Sequence, residues 1–132
     1  MAGTLTISTL SDGTNSTSST NCIRGPAKAW VQFTDIAGVV LIIKSFNCSS
    51  ITRSASGIFT FTFTTTMTDT GYVPVGSSCG TLATNSGAVS VFQTPSTGVV
   101  TAPTTSAFIF ATLSSGGSNF DPTYANIAVF GN

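Results

Sequence analysis

The chain contains no histidine and no glutamate, and only 6% of its 132 residues are charged. Each absence removes a class of function. Acid–base chemistry needs a tuned proton donor or acceptor, usually His, Glu or Asp, so only Asp12, Asp35, Asp69 and Asp121 remain for such work. All four stand beside Gly, Thr or Pro in sequence signals for turns, where an Asp side chain holds backbone N–H groups, and structural service is the expected role. A glycosidase-like carboxylate pair could arise only by joining two of them, for example across subunits. A Ser or Cys nucleophile would have no imidazole to activate it, and no G-x-S-x-G elbow is present.

Three widely spaced cysteines, Cys22, Cys48 and Cys79, cannot complete a tetrahedral metal site without histidine, and reduced, buried thiols are expected for them. One intrachain disulfide with a spare thiol is the alternative. Arg24, Lys28, Lys44 and Arg53 are too few and too dispersed to follow a phosphate backbone, which excludes a nucleic-acid partner. The Gly-rich pieces at 76–80 and 114–118 lack the lysine of a phosphate loop and read as plain loops. The longest unbroken apolar run, Val39 to Ile43, is far too short to enter and span a membrane. The opening MAGTLTISTLSDG has neither the basic start nor the apolar stretch of a secretory leader, so synthesis in a cytoplasm is expected. A protein without cofactor, metal or enzymatic turnover follows from these observations. Asn15-Ser16-Thr17 and Asn47-Cys48-Ser49 fit the glycosylation pattern in form, but a chain this rich in Ser and Thr produces such matches by chance.

What the chain does have is alternation. In the stretch from Gly57 to Asp69, Phe59, Phe61 and Phe63 fall on one side of an extended backbone and Thr60, Thr62 and Thr64 on the other. Three rings on one face would contribute about 5 to 9 kcal/mol of burial, so this strand must lie against a core. With 41% hydrophobic residues the chain is no disordered segment. A length of 132 residues suits one core. Zero net charge favours self-association, which points to an assembled state.

In chain order, residues 3–10 could form a short strand, and 11–21 are a polar loop or arm. Such an arm could pair with another subunit or pack on its own sheet. After Gly25-Pro26, AKAWVQF sets Ala27, Ala29 and Val31 against Lys28, Trp30 and Gln32. Trp30, the sole tryptophan, is expected in the core rather than as a surface platform, because large aromatics dominate core burial. The run VVLIIKSF at 39–46 predicts a strand buried on both faces. Residues 49–64 predict a hairpin with a loop at 54–57. Further strands are expected at 70–75, with Pro74 marking an edge or a strand end, and at 88–93, 106–113 and 125–130. Loops are expected at 76–87, where 81–83 could form a short turn, and at 94–105 around Val99-Val100. A third loop covers 114–124. The expected architecture is all-β, an antiparallel β-sandwich or small jelly-roll-like barrel of about 8–9 short strands with an N-terminal arm. Residues 1–24 would be the strand and polar arm, and 25–132 a single sandwich domain.

From Ala27 onward the residue order resembles a β module found near the ends of tail-fibre and other virion surface proteins of tailed bacteriophages, especially marine ones. The matching pieces are Ala27-Lys28-Ala29-Trp30-Val31 with Phe33, Ser45-Phe46-Asn47 with Ser49-Ser50-Ile51-Thr52, Phe63-Thr64-Thr65 with Met67 and Asp69, Tyr72, and Val129-Phe130-Gly131. Cys48 stands where an apolar residue is more usual, and a buried thiol serves there equally well. The resemblance implies a non-enzymatic virion component, typically homotrimeric, that contacts other virion proteins of the capsid or tail. Two roles are compatible with it: host attachment of the tail-fibre or receptor-binding type, and capsid decoration that stabilises the shell. A carbohydrate-binding β module outside a virion is the reading from another class. For any host-surface glycan, Tyr72, Phe120, Asp121 and Tyr124 are the candidate ligand-binding residues, since they flank loops where a ring could stack on a sugar and Asp121, Asn119 and Asn126 could bond its hydroxyls. Ordinary packing of the same rings is the competing expectation.

Overall fold

β-Branched and aromatic residues alternating with small polar ones build ten strands, and no helix occurs among the described residues. The computed structural model describes residues 3, 6–11, 13–14, 16–18, 26–80, 86–91, 101–114 and 116–131. The strands are β1 (Thr9–Ser11), β2 (Ser16–Ser18), β3 (Ala29–Ile36), β4 (Val39–Phe46), β5 (Cys48–Ala55), β6 (Ile58–Phe63), β7 (Val73–Cys79), β8 (Ser86–Val91), β9 (Ala107–Leu113) and β10 (Tyr124–Phe130). The first two pair with each other as a small antiparallel hairpin. Cys22, the turn at 81–83, Phe92 and the loop around Val99-Val100 lie outside the described residues.

The other eight strands form one antiparallel ladder in the order β4-β3-β10-β7-β8-β9-β6-β5. The ladder folds over on itself into two layers. Phe33 of β3 meets Phe59 of β6 at 5.2 Å and Phe110 of β9 at 6.0 Å between ring centres, although at least four places in the ladder separate those strands. An antiparallel all-β sandwich, as expected from the sequence, is therefore what the chain adopts.

Period-two alternation sends Phe59, Phe61 and Phe63 inward, where Phe59 stacks on its cross-strand partner Phe110 and Phe61 on Phe108. Ala29, Val31, Ile127 and Val129 supply the facing layer. Tyr72 closes one end, its ring against Phe63 and its hydroxyl donating to the Thr104 carbonyl at 2.8 Å. Burial without a charged partner pushes the Tyr72 hydroxyl up to about 12.

Several sequence expectations need correction. The β5–β6 turn is tighter than the expected loop at 54–57, because Ala55 already pairs with Ile58. The strand expected at 70–75 begins at Val73 and runs on through Cys79, into the segment read as loop, and Pro74 occupies its second position. β4 is an outermost strand of the ladder, and its apolar run is covered on one face only, because the second layer packs on the inner face alone: Val40 and Ile42 are half-buried against the core, while Val39 and Leu41 are 69% and 64% exposed. Trp30 lies outward on β3 rather than in the core, since Ala29 and Val31 take the inward positions. Asp35 sits within β3, not in a turn, and its side chain is fully covered. Cys79 is exposed and Cys48 buried, both as free thiols. Burial raises the Cys48 thiol to about 11, with the Ser50 carbonyl as the acceptor for its S–H.

Candidate functional site

The outward faces of β4, β3, β10 and β7 make one continuous surface, fixed by register. Phe46, Trp30, Ala128 and Val75 stand side by side across the four strands, and the next row holds Lys44, Gln32, Asn126 and Ser77. Phe130 and Val73 pair beyond the first row, while Val39, Leu41 and Ile36 cover the tip of the β3–β4 hairpin on the other side. Ile43 is the extra residue where the β3–β4 register shifts between Gln32 and Phe33. A shallow depression of about 530 Å³ follows the polar row, walled by Trp30 and Val75. Among the described residues no protein group bonds the side chains of Gln32, Lys44, Ser77 or Asn126. Lys44 is the only charged side chain that the four strands send outward. Such a surface can hold something by contact.

At the end of the sandwich, the turns after β3 and β5 meet the loop 119–122 around a guanidinium. Arg53 reaches Asp121 through two bonds, Nε to Oδ1 at 3.2 Å and Nη2 to Oδ2 at 2.9 Å, and its Nε lies 2.9 Å from Asp35 Oδ2. The Gly57 N–H donates to Asp121 Oδ1 at 2.7 Å. Gly57 has φ +66°, and a Cβ there would lie 2.6 Å from the Phe120 nitrogen, so glycine is what lets the β5–β6 turn and this loop touch. The Asp35 N–H donates to the Pro122 carbonyl, the Thr112 N–H to the Gly57 carbonyl and the Phe120 N–H to the Thr112 carbonyl, which ties the turns and the loop together through β9.

Two carboxylates thus share one cation, and their proton affinities are driven apart. Burial, followed by the charge of Asp121, raises Asp35 above its usual range, with Arg53 and the Gly38 backbone opposing. Burial also acts upward on Asp121, but the Arg53 bonds and the Gly57 N–H together hold it below the usual range. Neither Asp35 oxygen receives a well-aligned hydrogen bond. A divergent carboxylate pair is a signature of acid–base centres. Here, however, Asp35 is covered and Arg53 fills the space beside it, which describes a clamp holding three segments.

The four sequence candidates do not converge on one site. Tyr72 and Phe120 are buried. Asp121 is taken up by Arg53 and Gly57. Tyr124 is half exposed on the outward side of β10, in register with Cys79. Trp30, Gln32, Lys44 and Ser77 line the depression, with Trp30 on the surface side of the two alternatives the sequence offers, and a run of alternating residues does not show which face is left uncovered. Asn47 of the glycosylation pattern has its amide engaged, donating to the Lys28 carbonyl and accepting from the Thr65 N–H at 2.7 Å. Among the described residues no three His, Cys, Asp or Glu side chains gather as metal ligands, and no helix is long and apolar enough to cross a membrane. Comparison with protein-family models, with curated proteins and with solved structures finds no match to this chain.

Proposed function

We propose that this chain is a non-enzymatic virion surface protein of a bacteriophage, of the tail-fibre or receptor-binding type, made in the host cytoplasm and mounted as a homotrimer on other virion proteins. The observation that carries the reading is the broad, weakly charged outer face of β4-β3-β10-β7, whose exposed apolar side chains suit contact with another surface. The order of motifs from Ala27 to Gly131 supplies the particle context. Host contact falls to exposed polar loops such as the one between β6 and β7, where Thr64, Thr65, Thr66, Thr68 and Thr70 present hydroxyls that suit a glycan.

The same apolar face favours capsid decoration as a second reading, because a lattice neighbour covers such a surface better than a hydrated sugar does. Two measurements test the proposal. The purified protein should bind host cells and compete with infection, and failure on both counts removes the attachment role. Copy number in purified particles separates the readings, since a decoration protein follows the number of capsid subunits and a fibre follows the number of tails.

A further inference from the structure

Among the described residues twelve large apolar side chains are more than one-third exposed, and ten of them belong to β4, β3, β10 and β7. Exposed to that degree, they amount to on the order of 1,000 Å² of apolar surface, beyond the few hundred Å² that a monomer ordinarily shows. A standard interface takes roughly 800 Å² from each partner. The face is thus large enough to be the whole of one subunit contact.

We propose that this face docks a second copy of the same chain, with Trp30, Phe46, Val75 and Phe130 at its centre. The inference rests on the assembled state in the function proposed above and names the surface that produces it. Charge supports an identical partner: one outward Lys44 per copy leaves almost nothing to repel, and it sits on the outermost strand, where it can remain at a wet rim. The polar row is also compatible with self-pairing. Gln32 and Asn126 each carry both donors and an acceptor, so Gln32 of one copy can bond Asn126 of its neighbour, an arrangement that a closed ring of copies can repeat. Finally, β4 is an eight-residue outermost strand whose outward residues are Val39, Leu41, Lys44 and Phe46. A free-standing protein normally protects such an edge with several charges, and a covered one has no such need.

Trp30 is the only tryptophan in the chain, so the proposed contact carries its own reporter. Light scattering on the wild type at micromolar concentration should give a multiple of 13.4 kDa, with Trp30 emission that is blue-shifted when concentrated and moves red on dilution. Val75→Asp places a charge at an outward position and should leave the far-ultraviolet dichroism unchanged. It should raise the concentration for half-dissociation by roughly a hundredfold or more and turn Trp30 emission red. Leu41→Asp is the second variant, and it should weaken assembly in the same direction.

A wild type that stays monomeric at high concentration, with Trp30 open to quencher, overturns both the contact and the assembled state. An oligomer whose mass and emission ignore both substitutions overturns the contact alone and leaves assembly to another surface. A monomer whose Trp30 emission responds only to added saccharide would make the face a ligand groove, against the proposal.

Discussion

Replacing each member of the shared-cation pair by its isosteric amide should have opposite effects on stability. At neutral pH, Asp121→Asn exchanges an oxygen that accepts from Arg53 Nη2 at 2.9 Å for a donor facing a donor, while its other oxygen can still accept from Gly57. A charge-assisted bond is worth about 1.5 to 3 kcal/mol, so a loss of about 2 kcal/mol is expected for this partly covered group. Asp35→Asn instead removes a covered charge that lies beside another carboxylate and lacks an aligned hydrogen bond. The lost attraction to Arg53 is offset by relief of burial and by an amide N–H able to donate toward Asp121, and a gain of about 1 kcal/mol is expected.

The pH dependence follows from the two directions. Folding raises the Asp35 proton affinity, so its contribution to stability is full below the ordinary carboxylate value of about 3.9 and is lost as pH rises through the higher folded value. Asp121 behaves oppositely: its contribution is full above that ordinary value and disappears as pH falls through the lower folded one. The wild type should therefore be most stable in mildly acidic solution. The difference between wild type and Asp35→Asn should shrink as the solution is acidified toward about pH 4. Thermal or urea unfolding at one protomer concentration measures this, with roughly 3 to 5 °C per kcal/mol for a chain of this size. Equal damage from the two substitutions at neutral pH, or a pH-independent gap for Asp35→Asn, would refute the account.

Three further substitutions or measurements probe other parts of the structure. Gly57→Ala should cost roughly 3 kcal/mol, since it combines a left-handed backbone with a clash against Phe120; a loss under 1 kcal/mol in urea unfolding would mean the turn and the loop do not touch. Phe59→Ala removes a ring packed against Phe33 and Phe110 and should cost about 3 to 5 kcal/mol by the same assay, with a small effect counting against this core. In a Cys22→Ser background, an aromatic disulfide reagent should modify one thiol in the native protein, exposed Cys79. The second, buried Cys48, should react only in denaturant, so two fast thiols would contradict its burial.

Alternation is legible where one face is uniformly aromatic and the other hydroxylic, as on β6. The Phe59-Phe61-Phe63 comb reads directly as an inward face, and Phe59 and Phe61 stack on their cross-strand partners Phe110 and Phe108. The run at 39–46 was not readable in that way, because an apolar strand covered by its own core and one awaiting another surface have the same composition. The clamp was illegible for a different reason. Arg53 and Asp121 are 68 residues apart, and no local pattern announces a contact made only when three loops converge. Tyr72 and Phe120 flank loops in sequence, yet those loops fold back over the core and bury them.

The last strand in the chain, β10, lies in the interior of the ladder between β3 and β7, paired on both sides. On the ribosome, the segments before Tyr124 can therefore form local hairpins such as β3–β4 and β5–β6, but their sheet keeps an open slot until residues 124–130 leave the exit tunnel. Closing that slot late joins segments nearly a hundred residues apart, which slows folding and leaves nascent chains with unsealed, adhesive seams. Premature termination before Tyr124 should accordingly yield insoluble material rather than a smaller working protein.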